Sequence, residues 1–312
     1  MRILVTGSCG LIGSEVAFHF AKLGCEVLGI DNSSREKFFG KGADNSWVLE
    51  SDLLPLKGYR HFDFGIENKE EVEKLVGVRK PDLIVHAAAQ PSHDWAGKNP
   101  AEDFQTNAVG TLNLLEATRR MDKDCIFIFM SSNKVYGDRP NTILLKELDR
   151  RFAFADPNFS EGVNEQLAID QSMHSPFGVS KASADLLTQE YGRYYGLRTA
   201  VLRCGCLTGS RQSGVQLHGF LSYLIESVYL GRGYNIFGYK GKQVRDQLHA
   251  RDVVGAISEL ASETKPGSVY NLGGGKRNSV SILEAIEQLE SEFQLTGNFD
   301  YYDCPRKGDH VC

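Results

Sequence analysis

Hydrophobic positions along the chain follow two alternating patterns. Short apolar runs, typical of strands buried on both faces, alternate with longer segments in which apolar residues recur at helical spacing. The runs predict strands at 3–5, 26–30, 58–62, 82–86, 125–130, 199–203 and 268–272, and the longer segments predict helices at 11–23, 67–76, 100–121, 176–195, 217–230 and 280–292. Regular alternation of strand and helix predicts an α/β fold, in which a parallel sheet is covered by helices on both faces.

Two long segments and one change of pattern suggest how the chain is divided. Residues 32–57 are polar and contain glycines, whereas 138–170 are irregular and acidic and resemble a loop on the substrate side. From Cys204 onward the elements become shorter and loops more frequent. We therefore predict a large domain of residues 1–203 joined by about 243–275. A smaller mixed α/β substrate domain would comprise about 204–242 and 276–312.

The first predicted strand leads into a glycine turn, Gly7-x-x-Gly10-x-x-Gly13, which is followed by a helix. Strand, glycine turn and helix form the context of a dinucleotide-binding site, because the turn lets backbone approach a pyrophosphate and the helix N-terminus attracts its charge. This context makes the large domain a Rossmann-type doubly wound sheet. The predicted cofactor contacts in the turn are Gly7, Cys9, Gly10, Leu11, Ile12 and Gly13.

Asp31 ends the second predicted strand, at the distance where a carboxylate reaches the ribose hydroxyls of a dinucleotide. A carboxylate accepts hydrogen bonds from a ribose diol and repels a 2′-phosphate, so the sequence predicts NAD rather than NADP. Arg35 and Lys37 lie just beyond Asp31 and offer charge to a phosphate, although solvated loop charges are the simpler interpretation.

Further candidates follow other predicted strands, because ligands of open α/β sheets bind at the carboxyl ends of the strands. Small residues after the fourth strand leave room for a cofactor against the backbone, and a buried turn at Asp63 and Phe64 either contacts the adenine or is merely structural. The remaining cofactor contacts predicted before any family comparison are Asn32, Ser34, Arg35, Ala87, Ala88, Ala89, Asn107, Ser131 and Cys204.

Composition excludes several classes of function. The 312 residues have a net charge of −5, which argues against a nucleic-acid surface. No apolar run approaches the ~18 residues of a membrane span, and no signal peptide precedes the first strand. The seven cysteines are scattered without a CxxC pair, so we expect no metal site and a reducing, cytoplasmic setting.

Several motifs together identify a family. TGxxGxxG at 6–13, HAAAQ at 86–90, NAVGT at 107–111, SSNKVYG at 131–137, PFGVSK at 176–181, VRDQLHARD at 244–252 and NLGGG at 271–275 resemble the extended short-chain dehydrogenase/reductase superfamily over almost the whole chain. Members are mostly NAD-dependent nucleotide-sugar epimerases and dehydratases. Two segments, SSNKVYGD and GKQVRDQLHARD, are most similar to members that epimerise C2 of a CDP-sugar.

The resemblance implies roles for individual residues. Ser132 would bind the reacting sugar oxygen, Lys181 would bind the nicotinamide ribose and lower the pKa of a neighbouring base, and Arg245 would bind the pyrophosphate of the substrate. Arg306 offers a second pyrophosphate contact. The other predicted substrate contacts are Gln90, Asn133, Lys134, Phe177 and Gln216. Helices 100–121 and 176–195 resemble the pair that forms a four-helix interface in this superfamily, which implies a homodimer.

One departure affects the chemistry. The superfamily has a tyrosine four residues before the lysine, and this chain has Phe177, which cannot act as a base. Either the phenylalanine is an introduced substitution, or a natural subgroup uses another base, or the chain binds NAD and nucleotide sugar without turnover. Substitute bases to consider are His174, Cys204, Cys206 and Glu165.

The residues just after Ser132 distinguish two classes of enzyme within the superfamily. A 4,6-dehydratase needs an acidic pair just after the position of Ser132, where this chain has Asn133 and Lys134. An epimerase is therefore the leading hypothesis and a dehydratase the alternative.

Relatives usually continue beyond the position of Cys312, so we expect that a C-terminal segment is missing.

Overall fold

The computed structural model describes residues 1–121, 123–216, 218–305 and 309–312. The strands are Arg2–Thr6 (β1), Glu26–Ile30 (β2), Tyr59–Phe62 (β3), Leu83–His86 (β4), Ile126–Ser132 (β5), Leu145–Glu147 (β6), Phe152–Phe154 (β7), Arg198–Cys204 (β8), Cys206–Thr208 (β9), Gly233–Phe237 (β10), Val244–His249 (β11), Ser268–Leu272 (β12), Ser279–Ser281 (β13) and Asn298–Tyr302 (β14). The helices are Leu11–Lys22 (α1), Arg35–Phe39 (α2), Ser46–Val48 (α3), Lys69–Arg79 (α4), His93–Lys98 (α5), Pro100–Phe104 (α6), Gly110–Arg120 (α7), Ser175–Tyr195 (α8), Phe220–Tyr229 (α9), Ala250–Leu260 (α10) and Ile282–Phe293 (α11).

A seven-stranded parallel sheet is built from the described strands in the order β12-β8-β5-β4-β1-β2-β3. The chain runs outward from β1 in one direction through β2 and β3, and then in the other direction from β4. The order therefore reverses between β1 and β4, where such sheets leave a crevice for ligands. This topology confirms the predicted doubly wound sheet.

Side chains on the two faces of the sheet form separate cores. In β1, Ile3 and Val5 pack with α1 and α10, whereas Leu4 between them packs with α4, α7 and α8. Successive side chains of a strand point to opposite faces, so a continuous apolar run supplies both cores at once. This is why the strands of the sheet have apolar runs rather than an alternating pattern.

Smaller elements cover the carboxyl end of the sheet. A third core, with Leu224, Tyr234 and Leu289 among its members, joins α9, β10 and α11. Strand β10 pairs with β14, and β11 pairs antiparallel with β13 and parallel with β9. These elements come from the ranges predicted for the smaller domain and from β11 between them. The boundaries of the two domains remain a prediction.

Several predicted elements differ from the structure. The predicted helix at 100–121 is divided by a π-helical turn, Gln105–Val109. The predicted helix at 280–292 begins only at Ile282, because Val280 belongs to β13 and Ser281 caps the helix with a reciprocal bond to Glu284. Segment 32–57 contains α2 and α3, and segment 138–170 contains the hairpin β6–β7. Short elements of this kind have too few residues to show a period.

A membrane-spanning helix would have to be both long and apolar. No helix within the described ranges meets both conditions.

Candidate active site

A continuous cleft of about 1490 Å³ opens at the carboxyl ends of β1, β4 and β5. One end is lined by the glycine turn and Asp31, the middle by Ser132 and Lys181, and the far end by residues of β10 and β11. Its volume and position suit two ligands at once. A dinucleotide would lie along the crevice of such a sheet, and a second molecule would occupy the far end.

The glycine turn is shaped for close backbone approach. Gly7 has a φ of 68°, and a Cβ on it would lie 2.7 Å from the backbone nitrogen of Ala88. A Cβ on Gly13 would lie 2.0 Å from the carbonyl oxygen of Gly7. The turn therefore presents bare backbone at the start of α1, and these residues fit a dinucleotide pyrophosphate.

Asp31 is fixed at the end of β2 beside this turn. Its carboxylate accepts hydrogen bonds from the backbone nitrogens of Cys9, at 2.9 Å, and Ser33, at 2.8 Å. Burial raises the pKa of Asp31 above its usual value. The carboxylate lines the cleft with lone pairs left over, and its contact with a ribose diol stays a prediction.

Arg35 is more than a solvated loop charge. Its guanidinium donates to the carbonyl oxygen of Ser213 at 2.7 Å and lies 3.4 Å from His218 Nδ1. Burial lowers the pKa of Arg35 to about 10. This residue therefore links the loop after β2 to the segment that leads into α9. It also lies in the cleft wall, and its contact with a ligand stays a prediction.

Three predicted contacts lie outside the cleft. Asp63 is exposed on the surface, so the predicted buried turn is wrong for this residue, although Phe64 beside it does line the cleft. Gln90 and Asn107 are buried beneath the cleft, where Asn107 Oδ1 accepts from the Gln90 backbone nitrogen at 2.8 Å. Both side chains also bond to Asp103, so they support the loop after β4 instead of reaching a ligand.

His86 connects this loop to the glycine-turn strand. Its Nδ1 lies 2.7 Å from Thr6 Oγ1, and its Nε2 lies 2.8 Å from Thr111 Oγ1. Thr111 donates its own proton to the carbonyl oxygen of Asn107, so it must accept from Nε2–H, and Nδ1 is then the acceptor for Thr6. Burial lowers the pKa of His86 well below its usual value, which keeps the ring neutral.

Lys181 and Ser131 lie in the middle of the cleft wall. Lys181 Nζ donates to the carbonyl oxygen of Met130 at 2.7 Å and lies 4.4 Å from the centre of the Phe129 ring. Burial lowers the pKa of Lys181 to about 8. Ser131 Oγ donates to Asp185 at 2.6 Å, so this hydroxyl faces the floor of the cleft rather than its interior.

Ser132 and the two residues after it begin the half of the cleft that lies farther from the glycine turn. Ser132 Oγ accepts from the backbone nitrogen of Lys134 at 3.1 Å and caps the short turn Asn133–Tyr136. Burial lowers the pKa of Lys134 to about 8. Lys134 and Arg245 converge on the carboxylate of Asp309, at 3.5 Å and 2.6 Å. The two cations with one carboxylate give this part of the cleft a net positive charge.

Phe177, in the first turn of α8, is buried against the cleft and touches His93. Their ring centres are 4.6 Å apart with an angle of 47° between the rings. His93 begins α5, lines the cleft and lies 3.3 Å, through Nδ1, from Ser175 Oγ. No motif of the sequence points to His93, and the signal that indicates it is its place just beyond the carboxyl end of β4.

The four substitute bases suggested by the sequence are poorly suited. His174 lies outside the cleft, with its ring nitrogens 2.9 Å and 2.8 Å from the carbonyl oxygens of Ser172 and Val135. Glu165 is exposed and accepts from the backbone of Asn271. Cys204 and Cys206 do line the cleft, but burial raises their pKa values to about 12 and about 11, so both thiols stay protonated.

A bridge crosses the cleft above the glycine turn. Lys37 of α2 forms an ion pair with Glu102 of α6, and Phe38 packs edge-on against Trp95 of α5 with 5.8 Å between ring centres. Trp95 Nε1 also donates to Glu102 at 3.2 Å. Because α2 follows β2 and α5 follows β4, on either side of β1, this rim bridge spans the carboxyl end of β1.

The structure brings together most of the predicted contacts. Those that line the cleft are Gly7, Cys9, Gly10, Leu11, Ile12, Gly13, Asp31, Asn32, Ser34, Arg35, Phe64, Ala87, Ala88, Ala89, Ser131, Ser132, Asn133, Lys134, Phe177, Lys181, Cys204, Gln216 and Arg245. Arg306 lies outside the described residues.

Comparison with known proteins gives consistent matches. Residues 3–273 match the model of the NAD dependent epimerase/dehydratase family. A CDP-paratose 2-epimerase of Salmonella typhi is 36% identical over 308 residues, covering 96% of this chain and 86% of that protein. A dTDP-glucose 4,6-dehydratase of Salmonella typhimurium is 31% identical over 301 residues, covering 94% and 77%. UDP-glucuronic acid 4-epimerase from Bacillus cereus, solved with UDP-glucuronic acid and NAD, superposes with a TM-score of 0.78 at 26% identity and covers 100% of this chain and 88% of that chain.

Proposed function

Because the chain belongs to the NAD-dependent epimerase/dehydratase family and its cofactor is therefore NAD, we propose that it is a nucleotide-sugar epimerase. It would invert a sugar carbon by transient oxidation and re-reduction. The observation that carries this proposal is the single cleft that joins the glycine turn to the cationic end at Lys134 and Arg245. A cofactor and a diphosphate-bearing sugar would meet in its middle, at Ser132.

The residues of this chain would bind and orient the two ligands. NAD, when bound, supplies the hydride chemistry by accepting a hydride and later returning it. Arg245 and Lys134 would neutralise the diphosphate of the substrate, and Ser132 would donate to or accept from the reacting hydroxyl. Lys181 would bind the nicotinamide ribose.

A CDP-sugar inverted at C2 is the substrate that we propose. Its support is the 36% identity to CDP-paratose 2-epimerase over nearly the whole chain, together with the segments SSNKVYGD and GKQVRDQLHARD. The dehydratase relatives make a 4,6-dehydratase the second candidate. Elimination of water needs an acid and a base beside the sugar, whereas Asn133 cannot ionise and Lys134 is bound to Asp309.

A non-catalytic NAD and nucleotide-sugar binding protein is the third candidate, and Phe177 is the observation that favours it. A protein of this class would keep the cleft and its charges but would turn over no substrate. Measurement of cofactor content and turnover on the same preparation therefore separates it from both enzymes.

The protein would act as a homodimer through the outer face of α8 and its neighbours α6 and α7. Val179 and Leu186 are seven residues apart on one face of α8 and are 49% and 48% exposed. Phe104 of α6 is 44% exposed. Apolar side chains grouped in this way on adjacent helices suit a helix-packed interface.

Incubation of the NAD-loaded protein with CDP-paratose in D₂O tests the proposed function. We expect a C2 epimer without deuterium at C2, because a hydride held by the cofactor does not exchange with solvent. UDP- and dTDP-linked sugars would be processed more slowly. A 4,6-dehydrated product from dTDP-glucose, which carries the C6 hydroxyl to be eliminated, would favour the second candidate, and bound NAD without any turnover would favour the third. Lys181→Met serves as the inactive control.

A further inference from the structure

We propose that the imidazole of His93 replaces the missing phenol as the group that exchanges a proton with the reacting sugar hydroxyl. This inference rests on the proposed function and identifies the acid–base residue of the same site. The superfamily motif supplies none, because Phe177 occupies its tyrosine position.

Contact between the two rings carries the proposal. With ring centres 4.6 Å apart, the imidazole and the Phe177 ring are in van der Waals contact on the wall of the cleft. A tyrosine at position 177 would carry its hydroxyl on a ring that lines the cleft, and His93 lines the same cleft in contact with that ring. The imidazole is also half-buried, so a bound sugar would shield it from bulk water.

Ser175 orients the imidazole. Its hydroxyl oxygen accepts from the backbone nitrogen of Gly178 at 3.2 Å and lies 3.3 Å from His93 Nδ1. Ser175 has a φ of 56°, a left-handed conformation that is costly for a residue with a side chain and is concentrated at functional sites. If Nδ1–H donates to Ser175, Nε2 is the basic nitrogen of the ring and the one that would exchange a proton with the substrate. Ser175 is therefore a positioning residue.

Other titratable groups of this cleft are less suited to the role. The thiols of Cys204 and Cys206 are held protonated by burial, which raises the pKa of each. Lys134 is held by the carboxylate of Asp309. Lys181 donates to the backbone of Met130 beneath the cleft wall. Histidine has the further advantage that it accepts and returns a proton near neutral pH.

The proposed step balances in both directions. The sugar C–H hydrogen leaves with its electron pair to the oxidised cofactor, and the proton of the sugar hydroxyl moves to His93 Nε2. The alcohol becomes a ketone and the cofactor is reduced. The hydride then returns to the opposite face of the ketone, and His93 returns its proton to the oxygen.

Four proteins test the proposal: the intact chain, His93→Gln, Phe177→Tyr and the double variant. We expect His93→Gln to lower kcat by about 10²–10⁴-fold with little change in KM, because general acid–base catalysis contributes that much. When Phe177→Tyr is also present, His93→Gln should lower kcat by less than about tenfold, since the phenol then accepts the proton. Melting temperature and NAD affinity of each variant show whether the fold is kept.

A readout without turnover uses the imidazole nitrogens themselves. We expect the ¹⁵N resonance of His93 Nε2 to shift when CDP-paratose is added to the ¹⁵N-histidine-labelled, NAD-loaded protein, while that of buried His86 stays in place. Ser175→Gly suits the left-handed backbone but removes the hydroxyl. It should therefore keep the melting temperature, lower kcat and alter the tautomer of His93 seen by NMR.

The outcomes distinguish this inference from the proposed function. Unchanged kcat in His93→Gln, or no shift of His93 Nε2, overturns the role of His93 and leaves the epimerase standing. If Phe177→Tyr turns over substrate and the intact chain does not, the role of His93 is likewise overturned and the epimerase still stands. No turnover by any of the four proteins, despite bound NAD, overturns the proposed function and the His93 step together.

Discussion

Arg203 and Asp185 form a two-point ion pair beneath the middle of the cleft. Arg203 Nε donates to Asp185 Oδ2 at 3.0 Å, and the terminal NH2 donates to Oδ1 at 2.9 Å. Both side chains are almost fully buried, and Ser131 Oγ donates to the same carboxylate. The pair therefore ties β5, β8 and α8 together directly under the residues proposed to bind the sugar.

Asp185→Asn should destabilise the protein by about 3–5 kcal/mol, because it leaves the Arg203 charge buried without its counter-ion. Urea unfolding at pH 7 measures the change. The matched control is Asp124→Asn, which breaks the exposed pair between Asp124 and Arg198, 3.0 Å apart. That change should cost less than about 1 kcal/mol. An equal loss in the free energy of unfolding of the two variants would contradict the view that burial makes the Arg203–Asp185 pair the more critical one.

The intact protein should bind NAD more tightly than NADP, and Asp31→Asn should weaken NAD by about 10–100-fold, because charged hydrogen bonds to the ribose contribute roughly 1.5–3 kcal/mol. Calorimetric titration with both cofactors measures this preference. Asp63→Asn is the matched variant at a residue that the sequence, but not the structure, places against the cofactor. We expect its NAD affinity to be unchanged, because Asp63 is exposed outside the cleft. A loss of NAD affinity in this variant would support the contact predicted from the sequence.

Leu186→Glu should convert the proposed homodimer into a monomer, because a charge would be buried in the apolar face of α8. Light scattering at micromolar concentration measures the mass. Val78→Glu is the control, since Val78 is 73% exposed near the end of α4, away from α8. A monomeric mass for the intact protein would refute the proposed interface.

Stability should fall as the pH drops below about 6.5, the usual pKa of histidine. Burial lowers the pKa of His86 well below this value and that of His310 to about 3, so the unfolded chain gains protons that the folded chain cannot hold. Each histidine then costs about 2 kcal/mol between pH 6.5 and pH 5. Well above pH 6.5 the unfolded chain no longer takes up these protons, so the two histidines cost no stability there.

Urea unfolding at pH 7 and pH 5 tests this origin of acid sensitivity. His86→Gln can keep the bonds to Thr6 and Thr111 but cannot titrate, so its loss of stability over that interval should be smaller by about 2 kcal/mol. An identical loss in the variant and the intact protein would show that other groups dominate.

The residues that the sequence predicts around the glycine turn do line the cleft, because the shape of this end depends on local backbone. The turn from Gly7 to Gly13 needs glycine at fixed spacing, and Asp31 follows a strand whose apolar run is unmistakable. The rest of the cleft depends on long-range packing. No local pattern shows that Arg245 meets Asp309 or that His93 lies against Phe177, since the partners come from distant elements.

Residues beneath the cleft are the hardest to predict correctly. Gln90 and Asn107 occupy motif positions that suggest ligand contact, yet both are consumed by bonds to each other and to Asp103. A polar side chain near a strand end can face the interior of the cleft or the residues beneath it, and the sequence does not distinguish these two orientations. Short elements such as α2 and β13 were missed because they are too short for periodicity.

The rim bridge has a consequence for how the cofactor is used. Lys37, Phe38, Trp95 and Glu102 span the carboxyl end of β1, so we expect a dinucleotide seated in the turn to leave only when these contacts separate. The proposed epimerisation returns NAD to its starting oxidation state in every cycle and never requires that departure. The cofactor would then behave as a built-in prosthetic group, and the rate of turnover would be independent of the free NAD concentration in the cell.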